Sequence, residues 1–276
     1  MSERPLTKPM RAILVVGGLF VLAAAIQLYP LAKHTEDYFA WTIAIPATAA
    51  FLGASYAATT VLALMSARES TWARARLGLP GVLAFIWLTL LMTLLHLDTF
   101  HFDSDQWFAR GVAWVWLAIY ALEPPILTWI YVKQLREPGA DPPRDHPLPR
   151  WYRAALAALA AVLVLGGIAL FALPGEVGDA WPWPLTDLTA QAIAAWLVAF
   201  GLLLGAIWWE NDWTRVGLGM ALLITLVALL ALALALFPDK VESGNAIAGY
   251  IAGLAALGAI ALYGLVRSQR VAQPTD

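Results

Sequence analysis

Cysteine is absent from the chain, and this absence excludes disulfide bonds, thiol catalysis, iron–sulfur clusters and cysteine-ligated zinc. Charge is scarce as well, because Asp, Glu, Lys and Arg make up only 13% of the 276 residues, against about 25% in a soluble domain. No histidine lies in the middle of an apolar run, which argues against haem held by histidine inside a membrane. A Walker A motif, a G-x-S-x-G motif and a dinucleotide fingerprint are also missing. We therefore expect no cofactor, and the sequence favours a protein that is not an enzyme.

Apolar residues dominate instead, at 61% of the chain with a mean hydropathy of +0.70. Eight runs have roughly the 20 apolar residues that a membrane-spanning helix needs. They cover residues 12–31, 42–65, 79–97, 111–132, 152–173, 185–209, 216–237 and 246–266. They do not alternate apolar and polar residues as barrel strands do. The sequence predicts an all-α, polytopic integral membrane protein with eight transmembrane helices, surrounded by the lipid bilayer.

Basic residues mark one side of this predicted bundle. Of the 17 Lys and Arg residues, 14 lie in the two termini or in the flanks at 66–78, 133–153 and 210–215. The opposite flanks are acidic. Cytoplasmic loops are enriched in Lys and Arg, so both termini are predicted to be cytoplasmic, in a bacterial inner membrane. The net charge of −2 indicates no nucleic-acid partner.

Several features recur in the two halves of the chain at the same place relative to the apolar runs. Asp98 follows the third run as Asp239 follows the seventh, and "LVVGGLF" in the first run resembles "LVLGGIALF" in the fifth. An even number of spans in each half gives both halves one orientation. We predict two parallel four-helix repeats, residues 1–136 and 151–276, joined by a proline-rich cytoplasmic linker at 137–150.

The clearest repeated feature is the motif E-x-x-W-x-R. It consists of Glu69, Trp72 and Arg74 in the first copy and of Glu210, Trp213 and Arg215 in the second. The residues before each tryptophan are favoured helix N-caps. The indoles are expected at the headgroup level, with the arginines as cytoplasmic anchors. The glutamates could pair with the arginines, although an exposed pair stabilises little. The motif is interpreted as a capped turn, and a pair of cytoplasmic gates or headgroup sites is the functional alternative.

Glu123 is the most informative single residue, because it lies near the middle of the fourth run. Ionisable side chains there are costly and usually face the bundle interior or water. Trp116 and Tyr120 share its helical face. Pro124 and Pro125 cannot donate backbone hydrogen bonds, which frees carbonyls one turn earlier. These groups could bind a cation or small molecule or carry a proton; the alternative is a glutamate hydrogen-bonded to a neighbouring helix.

A second candidate site is the stretch "WPWPLTDLTAQAIAAW" at 181–196. Asp187 and Gln191 are four residues apart on one helical face, and Trp181 and Trp183 precede them on a proline-stiffened segment. They could line an outer vestibule for a flat or sugar-like ligand. The plainer interpretation is that Thr186 or Asp187 caps the helix and that the tryptophans form an interfacial belt.

A third candidate is the loop after the third run. His96, Asp98, His101 and Asp103 are of the residue types that bind metals through imidazole and carboxylate groups. Their spacing matches no zinc motif such as H-E-x-x-H. A metal or pH-sensing site at this loop therefore stays a hypothesis.

The stretch "PGADPPRDHPLPRW" followed by "WPWPLTDLTAQAIAAW" resembles uncharacterised multi-span bacterial membrane proteins, mainly in the second half, and the resemblance implies no activity. From the residues alone, the leading interpretation is an ion, proton or small-molecule transport role centred on Glu123. The alternatives are a structural or accessory membrane subunit and a membrane enzyme with a metal at the His/Asp loop. No protein partner is indicated.

Overall fold

Eight long helices form the protein, whose computed structural model describes residues 2–238, 241 and 244–272. They are α1 (Lys8–Leu28), α2 (Pro46–Ser66), α3 (Leu79–Leu95), α4 (Trp107–Leu135), α5 (Arg150–Ala172), α6 (Asp187–Glu210), α7 (Trp213–Leu236) and α8 (Asn245–Ala272). All eight are long and apolar enough to cross a membrane, α3 together with the short turns before it. The predicted all-α architecture is confirmed over the described residues, with eight helices long and apolar enough to span a membrane. Asp239, part of the argument for a repeat, lies outside the described residues.

Local sequence explains where the helices begin and end. The Thr7 side chain accepts a hydrogen bond from the backbone N–H of Met10 and starts α1. Pro46 occupies the first turn of α2, where a missing N–H costs nothing. Asn211 ends α6 in the left-handed conformation, with φ of 49°. Short helical segments cover Thr35–Tyr38, Trp72–Ala75, Arg76–Gly78, Leu97–Thr99 and Pro174–Gly178.

The helices divide into an inner and an outer set. In the most apolar stretches of α2 and α6, 72% and 78% of the residues are buried, and the spans containing α3 and α7 reach 50% and 39%. The outer helices α1, α4, α5 and α8 reach only 17%, 28%, 17% and 11%. The exposed faces of the outer helices are nonetheless apolar, as Leu165 and Leu262 show with exposed fractions of 67% and 57%. Such faces suit contact with lipid rather than water.

The inner helices pair across the two halves of the chain. Helix α2 packs on α1 and on α7, while α6 packs on α5 and on α3; α4 lies against α3, and α8 against α7. Glycine permits the closest of these approaches. A Cβ atom on Gly81 of α3 would lie 2.5 Å from the carbonyl oxygen of Ala199 on α6, so only glycine fits at this crossing.

A polar cap covers the end of the bundle where both halves carry their basic flanks, called here the basic end. The extended segment 2–7 runs beside the linker and the 70–72 turn. Arg4 donates its backbone N–H to Ala140 at 3.0 Å, and Leu6 donates to Ser70 at 3.0 Å. Gln134 at the end of α4 accepts from the Thr7 backbone and hydroxyl at 2.9 and 2.8 Å. The proline-rich linker is therefore held against the bundle rather than free in solution.

Candidate functional site

Helix α4 carries Glu123 into the interior without a break, since it stays helical through Pro124 and Pro125. Trp116 and Tyr120 lie on the same face and are buried, with exposed fractions of 7% and 5%. Their ring centroids are 4.4 Å apart. Glu123 lies about 24 Å along the helix from Trp107, given a rise of about 1.5 Å per residue. The structure thus brings the three predicted residues together deep between the two ends of the bundle.

One cavity of about 80 Å³ extends from Glu123 towards the basic end. Glu123 Oε1 approaches α1 closely enough that a Cβ atom on Gly17 would lie 3.3 Å from it. Thr59 and Ser66 of α2 also line this basic-side cavity. The Ser66 hydroxyl is buried and has no hydrogen-bond partner among the described residues. The volume of the basic-side cavity suits a few water molecules or a small ion.

A second cavity of about 330 Å³ extends from Glu123 in the other direction. It points towards the end of the bundle with the acidic flanks, called here the acidic end. It opens sideways between α1 and α4, whose lining residues include Phe20, Val115 and Trp107 with exposed fractions of 45%, 54% and 74%. The hydroxyl groups of Tyr56 and Tyr120 lie 3.0 Å apart at its inner wall. This acidic-side cavity is mostly apolar and aromatic.

Glu123 and Tyr120 belong to both cavities. A single carboxyl therefore lies at the junction of two spaces that extend towards opposite ends of the protein. Within residues 2–238, 241 and 244–272, no side chain donates a hydrogen bond to this carboxyl or forms an ion pair with it. A carboxyl placed in this way can exchange a proton or bind a cation from either side.

The second copy of the E-x-x-W-x-R motif forms a buried ion-pair cluster at the basic end. Glu210 accepts from Arg76 at 2.5 and 3.1 Å and from Arg215 at 2.9 Å. The Glu210 and Arg215 side chains are each only 2% exposed. Arg76 also pairs with Asp141 of the linker at 2.6 Å, and Arg144 lies 3.9 Å from Glu210. The pair that the sequence suggested is present, but it is buried and joins both halves and the linker.

Arg76 and Asp141 were not predicted as members of this cluster. Arg76 lies two positions after Arg74, the arginine of the first motif copy, and Arg74 is exposed. The first glutamate, Glu69, forms no ion pair with any residue that the structure describes. No spacing rule links positions 76, 141 and 210, because the contact depends on how α3, the linker and α6 meet.

The indoles of Trp72 and Trp213, expected at the level of the lipid headgroups, do not face lipid. Both indoles are covered by protein, with exposed fractions of 0% and 2%. The N-terminal segment covers the first turn, since Trp72 donates its backbone N–H to Arg4 at 2.9 Å. The linker covers the second turn, since Trp213 donates to His146 at 3.0 Å. Covering segments so distant in sequence cannot be inferred from hydropathy.

The predicted capping role is confirmed for one copy of the turn. Asp212 Oδ1 accepts from the backbone N–H of Thr214 at 2.8 Å and starts α7, while Oδ2 accepts from His146 at 3.0 Å. Burial alone would raise the pKa of this carboxyl, but hydrogen bonds from Thr214 and His146 and the charge of Arg215 hold the pKa below its usual range. Thr71, the corresponding residue of the first copy, makes no side-chain cap.

The stretch at 181–196 divides into buried and exposed parts. Thr186 caps α6 in a reciprocal arrangement with Thr189, as the plainer interpretation predicted. Trp183 is buried and donates to the Thr48 hydroxyl at 2.8 Å, so it links the two halves instead of facing lipid or a vestibule. Trp181 contacts Trp183 with ring centroids 5.5 Å apart. Asp187 is exposed, on the helix that carries the buried Gln191.

The histidines of the loop after α3 bind protein groups. His96 Nε2 lies 3.0 Å from Gln191 Oε1, which joins two residues that the sequence had assigned to separate candidate sites. His101 contacts the Phe39 carbonyl at 3.0 Å and the Thr42 hydroxyl at 2.9 Å. In the described part of the chain, no three His, Asp or Glu side chains, Asp98 and Asp103 included, gather as metal ligands.

No protein-family model matches the chain, and neither a curated protein nor a solved structure is significantly similar to it. Its function is therefore argued from the geometry around Glu123.

Proposed function

We propose that the protein is an integral membrane transporter in which Glu123 binds and releases protons. The observation that carries this proposal is the position of one carboxyl at the junction of two cavities that extend towards opposite ends. A transporter needs a site that can be reached from each side in turn, near the middle of the membrane.

The apolar sides of the bundle and its basic end support a location in a membrane. The outer helices present apolar side chains, such as Phe20 and Ile251, with exposed fractions of 45% and 53%, which supports burial in lipid. Both the N-terminus and the basic loops lie at one end, because segment 2–7 contacts the 70–72 turn and the linker. The positive-inside rule then supports a bacterial inner membrane with both termini in the cytoplasm.

The packing supports two repeats, residues 1–136 and 151–276, about the linker at 137–150. Each half supplies two inner helices, α2 and α3 or α6 and α7. The contact between α2 and α7 has its equivalent in the contact between α6 and α3. The halves would rock against each other about this interface, and the Glu210 cluster would hold the basic end closed.

A purely structural Glu123 is less well supported. A carboxyl that braces a helix needs a donor on a neighbouring element, since a buried polar group without one is costly. Over the described residues no such donor reaches it, and on α1 it approaches Gly17, where an added Cβ atom would lie 3.3 Å from Oε1. The small residue leaves space beside the carboxyl.

The test is proton flux through the full chain in liposomes that contain a pH-sensitive dye. With a proton gradient and a defined potential, the wild-type protein should acidify the lumen. Glu123→Gln, which keeps the shape and removes the exchangeable proton, should reduce the rate by at least about tenfold. Glu176→Gln, an exposed carboxyl at the acidic end, serves as the matched control and should transport normally.

Two results would contradict the proposal: wild-type liposomes no more permeable to protons than empty ones, or equal rates for Glu123→Gln and wild type. Size-exclusion profiles of both variants show whether each is folded, so loss of flux in a misfolded sample is not counted.

A further inference from the structure

We propose that the acidic-side cavity is the binding site for a monovalent organic cation with an apolar, aromatic-sized body. This inference rests on the proposed function, because it uses Glu123 as the ion-handling carboxyl, and it adds the class of substrate.

Charge is the first argument. Glu123 is the only acidic residue among those lining the cavity, and none of the described lining residues is Lys, Arg or His. A lone carboxylate in apolar surroundings is costly until a counter-charge joins it. A ligand carrying one positive charge supplies that counter-charge, whereas an anion would be repelled.

The walls give the second argument. Six aromatic residues line the cavity together with Tyr56: Phe20, Phe39, Trp107, Phe108, Trp116 and Tyr120. Aromatic faces attract organic cations through their quadrupole, and more strongly where water is excluded. The same surfaces bury the apolar body of the ligand. Among the lining residues that the structure describes, Gln27 alone adds a neutral polar side chain that is not aromatic.

Size and access give the third argument. The volume of about 330 Å³ accepts a small organic molecule, while the 80 Å³ on the basic side does not. The opening between α1 and α4 lies on the side of the bundle that we expect to face lipid, and apolar cations concentrate in lipid. The ligand would enter sideways from the bilayer and place its charge against Glu123, leaving the smaller cavity to water or a proton.

Gly111 provides a way to block the cavity without removing its charge. It lines the acidic-side cavity on α4, and a Cβ atom placed on it meets nothing within 4 Å. The side chain of a leucine there would occupy the cavity, and its Cβ atom would not clash with a neighbour. It would also improve the intrinsic helix propensity of α4, so unfolding is not expected.

The experiment measures binding of tetraphenylphosphonium to the full chain in lipid nanodiscs by equilibrium dialysis. Tetraphenylborate, of nearly the same shape and opposite charge, is the matched ligand control. The cation should bind wild type about 10- to 100-fold more tightly than it binds Glu123→Gln or Gly111→Leu. Tetraphenylborate should show no such dependence, and Glu176→Gln should bind the cation as wild type does.

Equal affinity of the cation for wild type and Glu123→Gln, or equal affinity of both ligands for wild type after subtraction of empty nanodiscs, would overturn the inference. So would unchanged binding to Gly111→Leu. Cation binding without proton flux would remove the proposed transport and leave the site. Proton flux that depends on Glu123, without selective cation binding, would remove the substrate class and leave the transport.

Discussion

The acidic-side cavity lies in a groove between α1 and α4, called here the first groove, and a second groove lies between α5 and α8. Each encloses about 330 Å³ and opens on the side of the bundle. Aromatic side chains line both, including Trp116 in the first and Trp181 in the second. The first contains Glu123. The alignment of "YVKQLR" at 131–136 with "LVRSQR" at 265–270 pairs Glu123 with Leu257 in the second. The described lining residues of the second include no charged side chain. The two grooves are thus similar in volume and in their aromatic lining, and they differ in the carboxyl of Glu123.

The basic end shows the opposite distribution. There the second half holds the buried charge, in Glu210 and Arg215, while the first copy of the motif leaves Glu69 partly exposed and Arg74 exposed. If the chain arose by duplication, the first half kept a carboxyl deep between the two ends, at Glu123, and the second half kept Glu210 buried at the basic end. The deep carboxyl lacks a described ion-pair partner, and the one at the end has several. This contrast suggests exchange at Glu123 and closure at Glu210.

Removing the carboxylate at the basic end should have the largest effect on stability. Glu210→Ala leaves the buried Arg76 and Arg215 without their shared partner, which should lower the free energy of unfolding by roughly 3 kcal/mol. The same change in the first copy, Glu69→Ala, should alter it by less than about 0.5 kcal/mol. Unfolding in mixed detergent–SDS titrations, followed by tryptophan fluorescence, measures both.

Equal losses for the two alanine variants would show that the two motif copies are equivalent and that the buried cluster contributes little. Glu210→Gln is a useful third variant, because it keeps the volume and one acceptor oxygen while removing the charge.

Moving the carboxyl between the grooves tests the first comparison directly. The double variant Glu123→Gln, Leu257→Glu should bind tetraphenylphosphonium about tenfold more tightly than Glu123→Gln alone, because it places a carboxyl among the aromatic walls of the second groove. The introduced glutamate should lower stability by about 2.5 kcal/mol, as an ionisable group does at the centre of a bilayer. Dialysis and SDS titration on the same preparation measure both effects.

A folded double variant that binds the cation no better than Glu123→Gln would show that the carboxyl alone does not distinguish the grooves. Specific walls of the first groove, such as Trp107 and Phe108, would then be required. Leu257→Gln in the Glu123→Gln background is the neutral control.

The positions of the spans were predictable because they follow from local physics. A run of apolar residues must bury its backbone polar groups in a helix wherever lipid surrounds it. Glu123 stood out for a related reason, since a carboxyl in such a run is costly wherever it faces. The shared helical face of Trp116, Tyr120 and Glu123 likewise follows from the helical period alone.

Contacts between distant segments were not predictable in the same way. Two contacts depend on which helices are neighbours: that of Arg76 with Glu210 and that of His96 with Gln191. The neighbours of a helix cannot be inferred from a single sequence. The backbone of Trp72 and Trp213 donates to segment 2–7 and to the linker, and the two indoles contact Tyr131 and Tyr152. Hydropathy indicates none of these neighbours. Pocket volumes depend on the same packing.

The smallest predicted effect separates the two turns by their dependence on pH. The folded-state pKa of Asp212 is held below its usual range, so its carboxylate stabilises the fold above the unfolded pKa of about 3.9. That contribution is lost as pH falls through the folded pKa. Asp212→Asn keeps a favourable capping oxygen but loses the charge beside Arg215 and the second acceptor oxygen, which accepts from His146. It should therefore cost about 1 kcal/mol at pH 7, and its difference from wild type should shrink as pH falls below about 4. Thr71→Val, at the equivalent turn, removes a buried hydroxyl without a described partner and should give a small difference that does not change with pH. Thermal unfolding of wild type, Asp212→Asn and Thr71→Val between pH 7 and below about 4 measures these differences in stability. A difference between Asp212→Asn and wild type that does not change with pH would show that the charge of Asp212 contributes nothing.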